Sequence, residues 1–392
     1  MSTPRIMFYV QYLLGIGHVR RSSLIVQALC EQGVHVDVIF GGMPVPSMSF
    51  GNASMHFLEA IKSADAAFSG LQKADGSEFT KEDQHHRSQA LLQLCEQLQP
   101  DLIVTETYPF GRRQMRFELL PLLNWIKSQA NPPILVASIR DILQRRSPVR
   151  EQECIDLINQ HYQHVLVHGD PQFYPLQQSF PPAAQIQHKI SYSGYVCPTF
   201  ESSQQPKAVQ GETNTASDTA KIVVSIGGGS VGKEILQAAL MLYQSGYAPQ
   251  RQWLLVTGPN MSAADKQYFH DQQTDNLQVT ELADNFLAKL NDAYVSVSMA
   301  GYNTVMDLLL TQTPAVVVPF EGDGETEQLA RSKVLATRGV LQLLENSALT
   351  ANSLQQAIEK AVASPINTIE IANQGAQRSA QLLTNWALKL NS

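Results

Sequence analysis

The sequence predicts two doubly wound α/β domains of the Rossmann-like kind, and three observations carry that reading. Short Val/Ile-rich runs alternate with helical patterns along all 392 residues. The runs are nearly continuous rather than alternating, as in parallel strands buried on both faces. Near the middle, one stretch rich in Ser, Gln, Thr and Pro loses all hydrophobic period, which marks a linker.

In the first half, strands are expected at 6–10, 35–40, 102–105, 134–138, 165–168 and 190–192. A helix over 22–32 closes on Gly33, suited to a left-handed cap, and another over 84–99 stops at Pro100. The linker runs from 198 to 220. A second series follows at 222–226, 253–257, 277–280, 294–298, 315–319 and 341–344, then one long helix over 370–390. The expected division is a first domain 1–197, the linker 198–220, and a second domain 221–392 that includes the terminal helix. Ligands in such sheets bind beyond the carboxyl ends of the strands, so the loops after each strand are where chemistry is expected.

Composition narrows the classes. With 28 basic and 35 acidic residues the net charge is −7, too acidic for a general nucleic-acid binder. Cys30, Cys95, Cys154 and Cys197 lie far apart, with neither zinc-site spacing nor a disulfide framework. No apolar run approaches the roughly 20 residues of a spanning helix. A cytoplasmic protein is expected.

Three loops stand out. Gly15-Ile16-Gly17-His18 follows the first strand, where glycines admit a ligand to the backbone and a helix start favours an anion. A dinucleotide fingerprint would need glycine in place of Arg20 and an acid in place of Gly41-Gly42. His18 suits a general base, a capping histidine being the plainer reading. Residues Gly227-Gly228-Gly229-Ser230-Val231-Gly232-Lys233 nearly spell a nucleoside-triphosphate loop, but Glu234 stands where a magnesium-binding hydroxyl belongs. Backbone amides with Ser230 there can still hold a diphosphate.

The third loop runs from Ser298 through Gly301, Asn303, Thr304 and Asp307 to Glu327 and Gln328. A carboxylate at Asp307, four residues after Asn303, suits a ribose diol, and the acid–amide pair suits sugar hydroxyls. Glu321, Asp323 and Glu325 could form an acidic metal site, but no histidine accompanies them, and no metal is expected.

Taken together, these loops resemble the MurG-like GT-B glycosyltransferases of family 28, over nearly the whole chain and most strongly over residues 277–339. The string Ser298-x-Ala-Gly-x-x-Thr, then Asp307, Pro319-Phe320, Glu327-Gln328 and Ala330, is similar to that family's donor signature. The resemblance implies a GT-B fold and an inverting, metal-independent transfer from a nucleoside-diphosphate sugar, UDP-linked by expectation, with no cofactor. It implies Asp307 on the ribose, Glu327 and Gln328 on the sugar, Gly228, Gly229 and Ser230 on the diphosphate, and the Leu282–Ala283 backbone on the base. His18 is implied at the reaction centre. Gly15 and Gly17 are split rather than adjacent, and Gly194–Pro198 lacks the family's arginine. Lys233 or a first-domain arginine is the expected substitute.

The acceptor belongs to the first domain. Arg20, Arg112 and Arg140 sit in its loops, within a basic stretch from Arg112 to Arg150 that suits an anionic acceptor, a lipid-linked glycan or an anionic membrane face. Asp141 and Glu106 both end strands, and either could orient His18. A nucleotide-sugar 2-epimerase and a non-catalytic sugar-nucleotide-binding subunit are the open alternatives.

Overall fold

In the computed structural model, the structure describes residues 3–13, 17–45, 48–64, 70–197, 220–322, 326–365, 367 and 372–390. The chain divides into two units, Met1–Pro198 with Ile371–Ser392, and Thr199–Glu370. The linker expected over 198–220 lies outside the described residues except for Ala220, as does Gly15.

The first unit runs β1 (Arg5–Val10), α1 (Gly17–Glu31), β2 (His35–Phe40), β3 (Ser54–Phe57), the hairpin β4 (Ile61–Ser63) and β5 (Leu71–Lys73), and α2 (Lys81–Leu98). It continues with β6 (Leu102–Glu106), α3 (Arg116–Ser128), β7 (Ile134–Arg140), α4 (Pro148–His161), β8 (His164–His168), the short α5 (Leu176–Ser179) and β9 (Ile190–Tyr192). Seven of these strands form one sheet in the order β3-β2-β1-β6-β7-β8-β9, every pair parallel. Both faces are buried: Met7, Tyr9 and Ile103 enter one core, Phe8, Val10 and Val104 the other. The chain adds strands on one side of β1 and then returns to add β6 on its other side. The reversal opens a crevice at the carboxyl ends of β1 and β6.

Two helix starts differ from the expectation. α1 begins at Gly17 rather than residue 22, so His18 lies in its first turn. α2 begins at Lys81, because Thr80 accepts from Asp83 N while the Asp83 side chain accepts from Thr80 N, a capping box. Gly33 does adopt a left-handed φ of 76° and ends α1. β3, β4 and β5 were not expected, being short and without an apolar run.

The second unit runs β10 (Ile222–Ser225), α6 (Lys233–Gln244), β11 (Trp253–Val256), α7 (Ala263–His270), β12 (Leu277–Thr280), α8 (Phe286–Asn291) and β13 (Val295–Ser298). α9 (Tyr302–Thr311), β14 (Ala315–Val317), α10 (Glu327–Thr337), β15 (Gln342–Leu343) and α11 (Ala351–Ala363) complete it. Its parallel sheet has the order β12-β11-β10-β13-β14-β15, with the reversal between β10 and β13.

The terminal helix α12 (Gly375–Leu390) was expected in the second domain and belongs instead to the first unit. Its Ala376, Ala380, Leu383 and Trp386 join the core that holds Phe8 and Leu29. Backbone pairing fixes the approach: Gly375 N donates to Tyr195 O, and Val196 bridges Gln374. A Cβ on Gly375 would stand 2.5 Å from Gly194 O, so only glycine fits. Among the described residues, no helix is long and apolar enough to cross a membrane.

Candidate functional site

The two reversal points are furnished by different means. In the first unit, β1 delivers the chain to α1, and β6 ends on Glu106. His18 Nδ1 lies 2.9 Å from Glu106 Oε1. The same oxygen accepts from Arg21 Nη2 at 2.5 Å and from Thr107 Oγ1 at 2.6 Å. Glu106 and Arg21 are buried, while the His18 side chain keeps 22% of its surface exposed. With Nδ1–H donating to the carboxylate, Nε2 is left as a proton acceptor.

Burial, outweighing the pull of Glu106, lowers the His18 pKa to about 4, with Arg112 and Arg21 pushing the same way. The ring is therefore neutral at pH 7, as a base must be. The Glu106 carboxyl is held far below the usual range: burial opposes ionisation, but His18, Arg21 and Arg112 outweigh it.

The sequence left Asp141 and Glu106 both open as partners of His18. Glu106 is the carboxylate on the ring, whereas Asp141 is buried and accepts from Tyr195 Oη at 3.0 Å. The difference comes from register, which aligns Glu106 with Ser138, two residues before the end of β7 and three before Asp141. Gly17 opens α1, Arg20 is half-buried in its first turn, and Arg140 is half-buried at the end of β7. Arg112 precedes a tight turn at Arg113–Met115.

Sequence reasoning missed Arg21, Thr107 and the buried His168. The last is held by Ser138 Oγ at 2.7 Å on Nε2 and by Ser193 Oγ at 3.0 Å on Nδ1. Burial keeps it neutral, its pKa pushed well below the usual value. Arg21 had a signal in the Arg20-Arg21 pair behind the glycine loop, but His168 at the end of an apolar strand had none.

In the second unit the reversal is built from backbone. Gly227, Gly229 and Gly232 take φ of 64°, 82° and 91° between β10 and α6. A Cβ on Gly229 would sit 2.4 Å from Thr257 O, and Asn260 N donates to Gly228 O at 2.8 Å, so this turn packs on the turn after β11. Ser230 is exposed beside it, at the amide end of α6. Lys233, one expected partner for a diphosphate, is paired with Asp265.

Across the reversal, Gly301 caps α9, with Asn303 and Thr304 half-buried in its first turn and Asp307 only 3% exposed. Glu327 opens α10 and is gripped by Arg331 Nη2 at 2.9 Å, both buried. Gln328 Oε1 accepts from Ala300 N at 3.2 Å and Phe320 N at 3.1 Å, tying the ends of β13 and β14 together. Leu282 and Ala283 follow β12, Leu282 being exposed with its carbonyl fixed by Thr280 Oγ1. Glu321 is described and exposed, while Asp323 and Glu325 lie outside the described residues. Among the described residues, no three His, Cys, Asp or Glu side chains cluster as metal ligands.

Residues 223–384 match the model of the Glycosyltransferase family 28 C-terminal domain. A UDP-N-acetylglucosamine–N-acetylmuramyl-(pentapeptide) pyrophosphoryl-undecaprenol N-acetylglucosamine transferase of Synechocystis sp. is 32% identical over 98 residues, 25% of this chain and 28% of that protein. A second such transferase, of Gloeothece citriformis, is 30% identical over 27% of this chain and 31% of its own length. The chain thus aligns with less than a third of the length of these relatives. Among solved structures, MurG of Acinetobacter baumannii superposes with a TM-score of 0.58 at 16% identity, covering 98% of this chain and 99% of that one. The calicheamicin glycosyltransferase CalG4 gives 0.59 at 14%, covering 100% and 96%. At such identities the likeness is one of fold, and that fold is GT-B.

Proposed function

From a chain of GT-B fold whose residues 223–384 match the family 28 glycosyltransferase C-terminal domain, we propose that this protein transfers a sugar from a nucleoside diphosphate, UDP by preference, to an acceptor hydroxyl. The observation that carries the mechanism is the His18–Glu106 pair at the first reversal point. Nε2 of the neutral ring takes the acceptor proton as the acceptor oxygen forms its bond to C1. The bond from C1 to the diphosphate oxygen breaks, and its electron pair leaves with the diphosphate. One displacement of this kind inverts the anomeric centre. Glu106 stabilises the imidazolium that forms, as a carboxylate behind a histidine does.

In the second unit, the amides at the start of α6 and the Ser230 hydroxyl receive the diphosphate charge without a cation. The exposed Ser230 before α6 supports this, as does the space beside Gly227, where a Cβ would meet nothing within 4 Å. Asp307 serves the ribose, the Leu282–Ala283 backbone the base, and Gln328 Nε2 the sugar. A lipid-linked acceptor at an anionic membrane face fits the exposed Arg145, Arg146, Val149 and Arg150.

Thermal unfolding of the full chain with UDP, dTDP, GDP and their common sugar conjugates tests the reading, because a ligand specific to the native state raises the midpoint by mass action. A nucleoside diphosphate should raise it, and the matching sugar conjugate should then be consumed with release of that diphosphate. Failure of the whole panel to shift the midpoint would overturn the proposal.

A further inference from the structure

Arg112 stands out among the arginines of the first unit by what its guanidinium leaves undone. Its Nε and Nη2 are both shut off from solvent and have no hydrogen-bond partner among the described residues. These two nitrogens form one edge of the guanidinium, the fork that meets both oxygens of a carboxylate or phosphate. Two other arginines of the same unit show the fork filled. Arg5 grips Asp37 through Nε at 2.6 Å and Nη2 at 3.2 Å. Arg87 grips Glu118 through Nε at 2.8 Å and Nη2 at 3.3 Å.

Among the described residues no ion pair joins Arg112 to Glu106, whose Oε1 is taken by His18, Arg21 and Thr107 and whose Oε2 is likewise buried without a partner. Arg112 is also held in a left-handed conformation, φ 57°, which a non-glycine residue adopts at a cost. Burial lowers its pKa; Glu106 and Tyr9 work against that, while Arg140 and Arg21 add to it. A half-buried cation whose Nε/Nη2 edge is desolvated and unpaired is stabilised by an anion that pairs with it.

We propose that Arg112 is an acceptor-binding residue whose unpaired Nε/Nη2 edge, covered in the unliganded chain, receives an oxyanion, a carboxylate or a phosphate group, carried by the acceptor close to the hydroxyl that His18 deprotonates. The acceptor class follows: a hydroxyl compound with an anionic group near the attacking oxygen. This rests on the transferase reading for the word acceptor, though the anion site does not need it.

The test is calorimetric titration of inorganic phosphate and of acetate into the full chain at low ionic strength, with chloride as the spherical control. Saturable binding of one oxyanion per chain is expected, weakened about tenfold or more in Arg112→Met. Arg112→Lys keeps the charge but not the fork and should recover only part of the affinity. Unchanged thermal midpoints in both variants show that they fold. Stronger binding of phosphate or of acetate says which oxyanion the acceptor carries. Absence of saturable binding, equal affinity in Arg112→Met, or equal affinity for chloride would each overturn the proposal. If the oxyanion binds through Arg112 but no nucleotide sugar is ever consumed, the anion site stands and the transferase reading falls.

Discussion

The two units repeat one topology yet furnish their reversal points in opposite ways. Between β1 and β6 the crevice is lined by charged and titratable side chains, with His18, Arg21 and Glu106 in contact and two of them buried. Between β10 and β13 the turn is glycine and backbone, and the nearby polar side chains are spent on the protein itself. Gln328 holds two amides, Arg331 holds Glu327, and Asp265 holds Lys233. A shared sheet order therefore sets where a crevice opens but not what lines it. Side chains with tuned pKa values suit proton transfer, whereas preset amides suit a departing anion whose charge needs no proton.

The contrast is broken most directly at His18. Replacing His18 with Ala should lower transfer by about 10²–10⁴-fold, the usual loss with a general base, while UDP affinity in the second unit stays within error. Steady-state rates alongside UDP titrations decide it; normal turnover, or weakened UDP binding, would remove His18 from the role. Because the ring titrates near pH 4 rather than near neutrality, kcat/KM of the native enzyme should show no His18 acid limb between pH 6 and 7.

Gly229→Ala probes the other side. Its φ of 82° and the 2.4 Å approach to Thr257 O leave no room for a methyl group. The strain of a left-handed alanine alone costs about 1–2 kcal/mol, so both the thermal midpoint and UDP affinity should fall while proton-transfer groups are untouched. Unchanged UDP affinity in a folded variant would move the diphosphate away from this turn. Asp307→Ala should weaken UDP by about 1.5–3 kcal/mol, the worth of a charge-assisted hydrogen bond. Equal calorimetric affinities would sink its assignment to the ribose.

Acid should loosen the first unit more than the second. His18 and His168 both have pKa values lowered on folding, so between about pH 6.5 and pH 4 the unfolded chain binds more protons, and stability falls as pH falls. Glu106, with its pKa depressed, adds a loss only at still lower pH. Urea midpoints at pH 7 and pH 5 for the native chain and His168→Gln should show a smaller pH difference in the variant; an identical difference would mean that His168 is not buried neutral. The smallest effect is expected from EDTA, which should leave transfer nearly unchanged if helix-terminal amides hold the diphosphate. Loss restored by manganese would point to Glu321 and its acidic neighbours.

Apart from the edge strand β3, the strands of both sheets were legible as Val/Ile runs because burial on both faces demands continuous apolar residues. The glycine turn after β10 was legible because positive φ and close backbone approach restrict the residue type locally. The hairpin β4–β5 was not, since its three-residue strands carry no period. What pairs with His18 was beyond the sequence. Glu106 and Asp141 each end a strand, and only the register between β6 and β7, with Tyr195 arriving to bond Asp141, separated them. The ownership of α12 was likewise hidden, because its amphipathic face would suit either sheet, and the glycines at 194 and 375 that bring the backbones together lie 181 residues apart. Local sequence determined which segments form strands, turns and caps, because those depend on each residue's own backbone freedom and burial. Tertiary structure alone decided which charges meet, because ion pairs and open guanidinium edges depend on distances between residues that the chain places far apart.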